Sequence, residues 1–81
     1  MKKVFKGVIS FKVSEKHPDI QHVKNPNEVL TFEDTYTLDS DNYYNEDEMI
    51  NFIKHDLSLV AGGGYSKEHI YNATFEIKQV G

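Results

Sequence analysis

Two segments in the first half of the chain alternate apolar and polar residues, the pattern of a strand that buries one face. In residues 3–14 the apolar positions are Phe5, Ile9, Phe11 and Val13, and the polar positions are Lys6, Ser10, Lys12 and Ser14. In residues 29–39 the apolar positions are Leu30, Phe32, Tyr36 and Leu38, and the polar positions are Thr31, Glu33, Thr35 and Thr37. Asp34 falls on the apolar side, where it marks either a bulge or the rim of the sheet. The pattern predicts two strands.

The period changes to that of a helix after residue 44. Asn45 is a suitable N-cap with Glu48 three residues later, and Tyr44 is placed to pack on Met49 as a hydrophobic staple. Apolar residues then recur at helical spacing, at Met49, Ile50, Ile53, Leu57 and Val60, with Asn51, Lys54 and Ser58 on the far side. The pattern predicts a helix over about residues 46–60.

The last segment, residues 70–80, alternates again. We expect Tyr71, Ala73, Phe75 and Ile77 to face inward and Asn72, Thr74, Glu76 and Lys78 to face outward. The element order is therefore β-β-α-β, within one small domain that covers residues 1–81. Three strands and one helix, each with one apolar face, predict a two-layer α+β fold. If the last strand returns beside the first, the sheet is antiparallel in the order 2-1-3, with the helix packed on one face.

Two connections carry unusual residues. Residues 15–28 contain two prolines and two histidines without any period, so we expect a long connection that is either mobile or used for contact. Three glycines follow the predicted helix in the stretch VAGGGYSKEH, residues 60–69. A phosphate-binding loop precedes a helix, whereas this run follows one. We therefore predict that Gly62 is the left-handed residue that ends the helix, and that Gly63 and Gly64 turn the chain.

Composition narrows the classes of function. The chain of 81 residues contains no cysteine, which excludes disulfides, thiolate metal sites and a cysteine nucleophile. The basic start, MKKVFKGVISFKV, is interrupted by Lys6 and Lys12 where a signal peptide is apolar, so it predicts a strand. No other stretch is apolar for long enough to span a bilayer, so we expect no membrane association. The absence of cysteine is compatible with a reducing cytoplasm, where we expect the protein to be located.

Charge is unevenly distributed along the chain, whose net charge is -4. Residues 1–27 contain six lysines and two acids, whereas residues 28–48 contain eight acids and no base. All nine basic residues are lysine, which lacks the planar fork with which arginine reads guanine edges and grips phosphates. Sequence-specific binding of nucleic acid is therefore disfavoured, while nonspecific binding through the lysine-rich first quarter stays open.

Neither metal nor catalytic chemistry is indicated by a motif. A calcium loop starting at Asp39 requires glycine and glutamate where Tyr44 and Ile50 stand. The histidines, at positions 17, 22, 55 and 69, include no pair at the helical i, i+4 spacing of zinc ligands. No G-x-S-x-G nucleophile motif is present, and a core this small leaves little room for a substrate cleft. We therefore expect a protein that is not an enzyme and that uses no cofactor.

The acidic stretch DSDNYYNEDE, residues 39–48, is the candidate contact surface. Its carboxylates would steer a basic partner, and tyrosine supplies contact area at low entropic cost. We predict partner-binding residues at Asp39, Asp41, Tyr43, Tyr44 and Asp47. The competing interpretation is a solvated loop and helix start, because acids at a helix N-terminus also stabilise the helix dipole.

The composition is also typical of one group of proteins. A small α+β chain rich in lysine, asparagine, isoleucine and tyrosine, without arginine, resembles accessory proteins of phages, prophages and mobile elements from AT-rich bacteria. The resemblance rests on composition alone and implies a protein that binds, and often inhibits, a host macromolecule in the bacterial cytoplasm. Two functions compete: a module that binds a basic protein partner, and a structural or assembly protein that forms homodimers through an edge strand.

Overall fold

The computed structural model describes residues 1–18, 20–22, 27–63 and 67–81. Its strands and helix are β1 (Lys2–Val13), β2 (Leu30–Asp39), α1 (Glu46–Ala61) and β3 (Ile70–Gln79). Short 3₁₀ turns lie at Ile20–His22, Ser40–Asn42 and Lys67–His69. The strands form one antiparallel sheet in the order β2-β1-β3. The predicted α+β fold and its strand order are confirmed.

The core lies between one face of this sheet and helix α1. β1 lies between the other two strands, and its apolar and polar residues alternate without interruption. Its residues Phe5 and Ile9 are therefore only 1% and 0% exposed. Gly7 stands between them on the same face. A Cβ atom at Gly7 would lie 2.9 Å from Leu57 Cδ1 and 3.0 Å from Ile53 Cγ2, so the helix rests directly on this position.

The stripe that α1 buries differs from the predicted one at its C-terminal end. Its buried apolar residues follow steps of four, at Met49, Ile53, Leu57 and Ala61. Val60, predicted to face the core, is 38% exposed. Ser58, predicted to face away, is buried, and its hydroxyl donates to the carbonyl of Lys54 at 2.8 Å. Because that bond satisfies the hydroxyl within the helix, serine can occupy the buried side.

β2 keeps the predicted alternation throughout. Tyr36 is buried, and Leu30, Phe32 and Leu38 pack against the core. Asp34 lies opposite Gly7 in a continuous register, so it marks the exposed rim of the sheet and not a bulge. Its Oδ1 atom accepts the backbone N–H of Thr35 at 2.8 Å.

β3 departs from the predicted alternation because it contains a bulge. Ser10 pairs with Thr74 but Lys12 pairs with Tyr71, so Phe11 faces two residues, Asn72 and Ala73. Asn72 has a φ of 54°, the left-handed conformation that asparagine tolerates better than most residues. The extra residue reverses the alternation on its N-terminal side. The prediction that Tyr71 faces inward is therefore wrong, and Tyr71 and Ala73 are both exposed.

Residues outside the helix close its C-terminal end. Gly62 has a right-handed φ of -71°, whereas Gly63 has a φ of 57°, so the left-handed residue is Gly63 and the prediction of Gly62 is wrong. Gly64 lies outside the described residues. The Nε2 atom of buried His17 donates to the carbonyl of Ala61 at 2.9 Å. The Nδ1 atom of His69 donates to the carbonyls of Gly62 at 2.7 Å and Gly63 at 3.0 Å.

The connection predicted over residues 15–28 is therefore anchored at its start. A Cβ atom at Gly63 would lie 2.9 Å from Pro18 Cγ and 3.2 Å from His17 Cε1. His17 and His69 meet edge to face, with ring centroids 6.1 Å apart. Asp19 and residues 23–26 lie outside the described part of the chain. The two rings supply donors to carbonyls at the C-terminal end of α1 and just after it, where partners within the helix are lacking.

We expect Gly63→Ala to destabilise the fold by about 1–3 kcal/mol, since it places a side chain both in a left-handed conformation and against Pro18. Gly62→Ala is the matched control, because right-handed backbone accepts alanine at a change of less than about 1 kcal/mol. Urea unfolding of the two variants measures the difference. Equal stability of both would contradict this description of the helix end.

Candidate functional site

The start of α1 sets the position of the predicted contact surface. The side chain of Asn45 accepts the backbone N–H of Glu48 at 2.9 Å, which confirms the predicted N-cap. The Oε2 atom of Glu48 in turn accepts the N–H of Tyr44 at 3.3 Å. This reciprocal pair resembles a capping box, with the return bond one residue earlier than usual. Loop and helix are thus held together by two hydrogen bonds.

The two tyrosines before the cap point in different directions. Tyr43 has extended backbone, with φ -132° and ψ 148°, and successive side chains of extended backbone point to opposite sides. Tyr43 packs against the core, with its ring 6.1 Å from that of Phe52. Tyr44 is 96% exposed, so the predicted staple between Tyr44 and Met49 is wrong.

Phe52 also contacts a second aromatic ring, that of Tyr36 on β2. Its ring lies 6.4 Å from that of Tyr36 at an interplanar angle of 86°, an edge-to-face contact. Phe52 itself stays 40% exposed. The hydroxyl of Tyr36 donates to Oδ2 of Asp56 at 2.7 Å. Burial, aided by this bond and by the charge of Asp56, raises the pKa of Tyr36 well above its usual range.

A shallow depression of about 210 Å³ lies beside these rings. Its lining residues are Asp41, Asn42, Tyr43, Tyr44 and Glu48. The structure therefore brings together three of the five predicted contact residues, Asp41, Tyr43 and Tyr44. We call Asp41, Tyr43, Tyr44, Glu48 and Phe52 the acidic aromatic surface.

Asp39 and Asp47 lie outside the lining of this depression. Asp39 caps the 3₁₀ turn by accepting the N–H of Asp41 at 3.0 Å, and it contacts the amino group of Met1 at 3.2 Å. The backbone N–H, followed by the Met1 amino group, lowers the pKa of Asp39. Asp47 is exposed in the first turn of α1. Asp39 therefore has a structural role, while Asp47 is free to add charge beside the surface.

The surface carries negative charge with little compensation. Within the described ranges, no lysine or histidine side chain lies within 4 Å of the carboxylates of Glu46, Asp47 or Glu48. Asp41 has the Met1 amino group at 3.3 Å, although its side chain stays 82% exposed. Carboxylates that lack a nearby cation attract positively charged groups from solution.

The sequence pattern indicated only a capping role for Glu48 and did not point to Phe52 or Asp56. These three residues follow one another at i, i+4 spacing, which places them on one side of α1. The signal in the sequence that could have identified these residues was an aromatic residue between two acids on one helix face, away from the apolar stripe. Which neighbouring rings it would meet depends on how the helix lies against β2.

Neither metal ligation, nor a membrane-spanning helix, nor similarity to a known protein assigns a function to the described residues. Among the residues that the structure describes, no three histidine or acidic side chains are grouped as metal ligands. None of the described helices has the length and hydropathy needed to cross a membrane. Comparison with protein-family models, curated proteins and solved structures finds no match.

We expect Tyr36→Phe to lower stability at neutral pH by about 1–2 kcal/mol, because it removes a hydrogen bond to a carboxylate. The Tyr36 hydroxyl ionises less readily in the folded chain than in the unfolded chain, whose tyrosine pKa is near 10.0. Its contribution is therefore complete below that pH and is lost as the pH rises above it. Denaturation of both proteins from about pH 7 to about pH 11 should show their stabilities converging.

A constant difference in stability across that range would show that the ionisation of Tyr36 is not coupled to folding. Lysine titration does not confuse the comparison, because both proteins contain the same lysines.

Proposed function

We propose that this protein is a non-enzymatic binding module whose acidic aromatic surface engages a basic surface on a protein partner. The observation that carries the proposal is Tyr44, which is 96% exposed between carboxylates that have no lysine or histidine partner in the described chain. Tyrosine is enriched at protein interfaces, because its ring supplies apolar contact area and its hydroxyl a polar contact.

The physical properties of the surface suit this role. The backbone around Tyr44 is held by its bond to Glu48, and Tyr43 and Phe52 hold each other by ring contact. A preformed surface loses little conformational entropy on binding. The carboxylates would accelerate encounter with a basic partner, whereas the exposed ring would supply the buried area at the centre of the contact.

The compositional resemblance extends the proposal to the class of partner. Accessory proteins of phages and mobile elements act on host macromolecules, so the partner is a bacterial protein with a basic surface, met in the bacterial cytoplasm. A basic surface that normally binds nucleic acid would be occupied by such a module, and the effect would be inhibition.

We expect the combined change Asp41→Asn and Asp47→Asn to weaken partner capture by roughly tenfold at low salt, mainly through a slower on-rate. The dependence of binding on salt concentration should flatten. Asp39 and Glu48 are left unchanged because both serve as caps. Capture from bacterial lysate with the immobilised protein, followed by titration of the captured protein, provides the measurement.

The matched control is Glu15→Gln with Glu28→Gln, which removes the same charge at two exposed positions outside the surface. Tyr44→Ala should weaken capture without changing the salt dependence, because it removes contact area and no charge. If the acidic variant and the control bind alike, with equal salt dependence, the acidic aromatic surface is a solvated helix start and the proposal fails.

A further inference from the structure

The outer edge of β3 has a regular set of backbone groups with no partner among the described residues. β3 lies at one side of the sheet, next to β1 alone. Val80 donates its backbone N–H to the carbonyl of Val4, so this group of Val80 faces β1. These groups alternate along an antiparallel strand. Those of Glu76 and Lys78 therefore also face β1, and those of Phe75, Ile77 and Gln79 face outward.

Two charged side chains on this strand form no ion pair within the described part of the chain. Glu76 and Lys78 are exposed on the sheet face away from the helix, and neither forms an ion pair with another described residue. Lys78 lies directly opposite Lys6, a like charge. Lys6 has its own partner, Glu33, at 3.6 Å. Like charges opposite each other on a sheet are unfavourable, so Lys78 lacks the acid that its position favours.

We propose that β3 pairs with β3 of a second copy of this chain, antiparallel and about a two-fold axis at Ile77, to form a continuous six-stranded sheet. In this register Glu76 of each copy lies opposite Lys78 of the other. The outward groups of Ile77 bond to their symmetry mates, and those of Phe75 bond to Gln79 of the other copy. Glu76 and Lys78 then form non-hydrogen-bonded pairs, in which side chains approach most closely.

Charge selects this register over its neighbours. Opposite residues must share a face, so the axis can move only in whole-residue steps along the strand. An axis at Glu76 would place the two Glu76 side chains together, and an axis at Lys78 would place the two Lys78 side chains together. Toward the N-terminal end of β3, the bulge at Asn72 interrupts regular pairing. The axis at Ile77 satisfies both charges of both copies.

The opposite edge of the sheet is less suited to self-pairing. By the same alternation the N–H of Thr35 points outward from β2, but the side chain of Asp34 already accepts it at 2.8 Å. Glu33 and Asp34 lie in the middle of β2, so antiparallel self-pairing there would bring acids of the two copies together. These features protect an edge strand against association. No described side chain occupies the outward groups of β3 in this way.

Apolar contact adds to the pairing on the helix side of the sheet. Phe75 and Ile77 are half-buried at the rim. Ile77 would meet Ile77 of the second copy, and Phe75 would lie diagonally next to it. Lys54 lies over the ring of Phe75, with its Nζ atom 5.8 Å from the ring centroid. Backbone bonds would supply affinity and the two charge pairs would supply register.

The test measures molar mass by sedimentation equilibrium over protein concentrations up to about 1 mM. We expect a reversible dimer for the natural sequence. Lys78→Glu should raise the dimer dissociation constant at least about tenfold, because it makes both cross-copy pairs repulsive. The same change places a carboxylate opposite Lys6 within the chain, so it should not unfold the protein. Glu76→Lys should also weaken the dimer.

Mixing the Lys78→Glu and Glu76→Lys variants provides the decisive measurement. Their heterodimer restores an opposite charge in both pairs, so the mixture should dimerise more tightly than either variant alone. The double variant Glu76→Lys with Lys78→Glu should also dimerise. Circular dichroism of each variant checks that it is folded. A natural protein that stays monomeric, or a dimer that neither single change weakens, would overturn the proposal.

The outcome is independent of the proposed binding function. The acidic aromatic surface lies beside β2 and the start of α1, while the proposed dimer contact lies on the opposite edge strand. Loss of the dimer in Lys78→Glu with partner capture intact would therefore separate the two surfaces.

Discussion

Helix α1 approaches the sheet as closely as it does because the central strand presents a glycine beneath it. At Gly7 any side chain would press on Leu57 and Ile53, because even a Cβ atom would lie 2.9 Å and 3.0 Å from their side chains. Phe5 and Ile9 lie on either side of Gly7 and are buried between the sheet and the helix. The contact fixes how far the helix lies from all three strands, and hence where its exposed residues meet the loops.

A single helix covers one face of the sheet, and the consequences differ between the two edges. On the β2 side the helix start, the 3₁₀ turn and the rings of Tyr43 and Phe52 build a dense local surface with acidic side chains around it. On the β3 side the edge keeps its backbone groups outward. Since β1 separates the two edge strands, the two surfaces share no residue.

Periodicity was sufficient to predict the strands, the helix and their order, because each element buries one face for most of its length. The features that it missed depend on neighbours distant in sequence. The bulge at Asn72 depends on pairing with Phe11, and the left-handed Gly63 depends on the positions of His17 and Pro18. In the candidate site the acids were predictable from composition. The ring contacts of Phe52 were not, because they follow from the packing of α1 on β2.

The bulge in β3 also constrains how the length of this strand can vary during evolution. Ile70 and Phe75 are five positions apart, an odd separation that places side chains on opposite faces of a regular strand. Both face the helix here because Asn72 and Ala73 together oppose one residue. Loss of either would restore strict alternation and turn Ile70 out of the core. Insertions and deletions in related sequences should therefore accumulate in the connections, or occur within this strand two residues at a time.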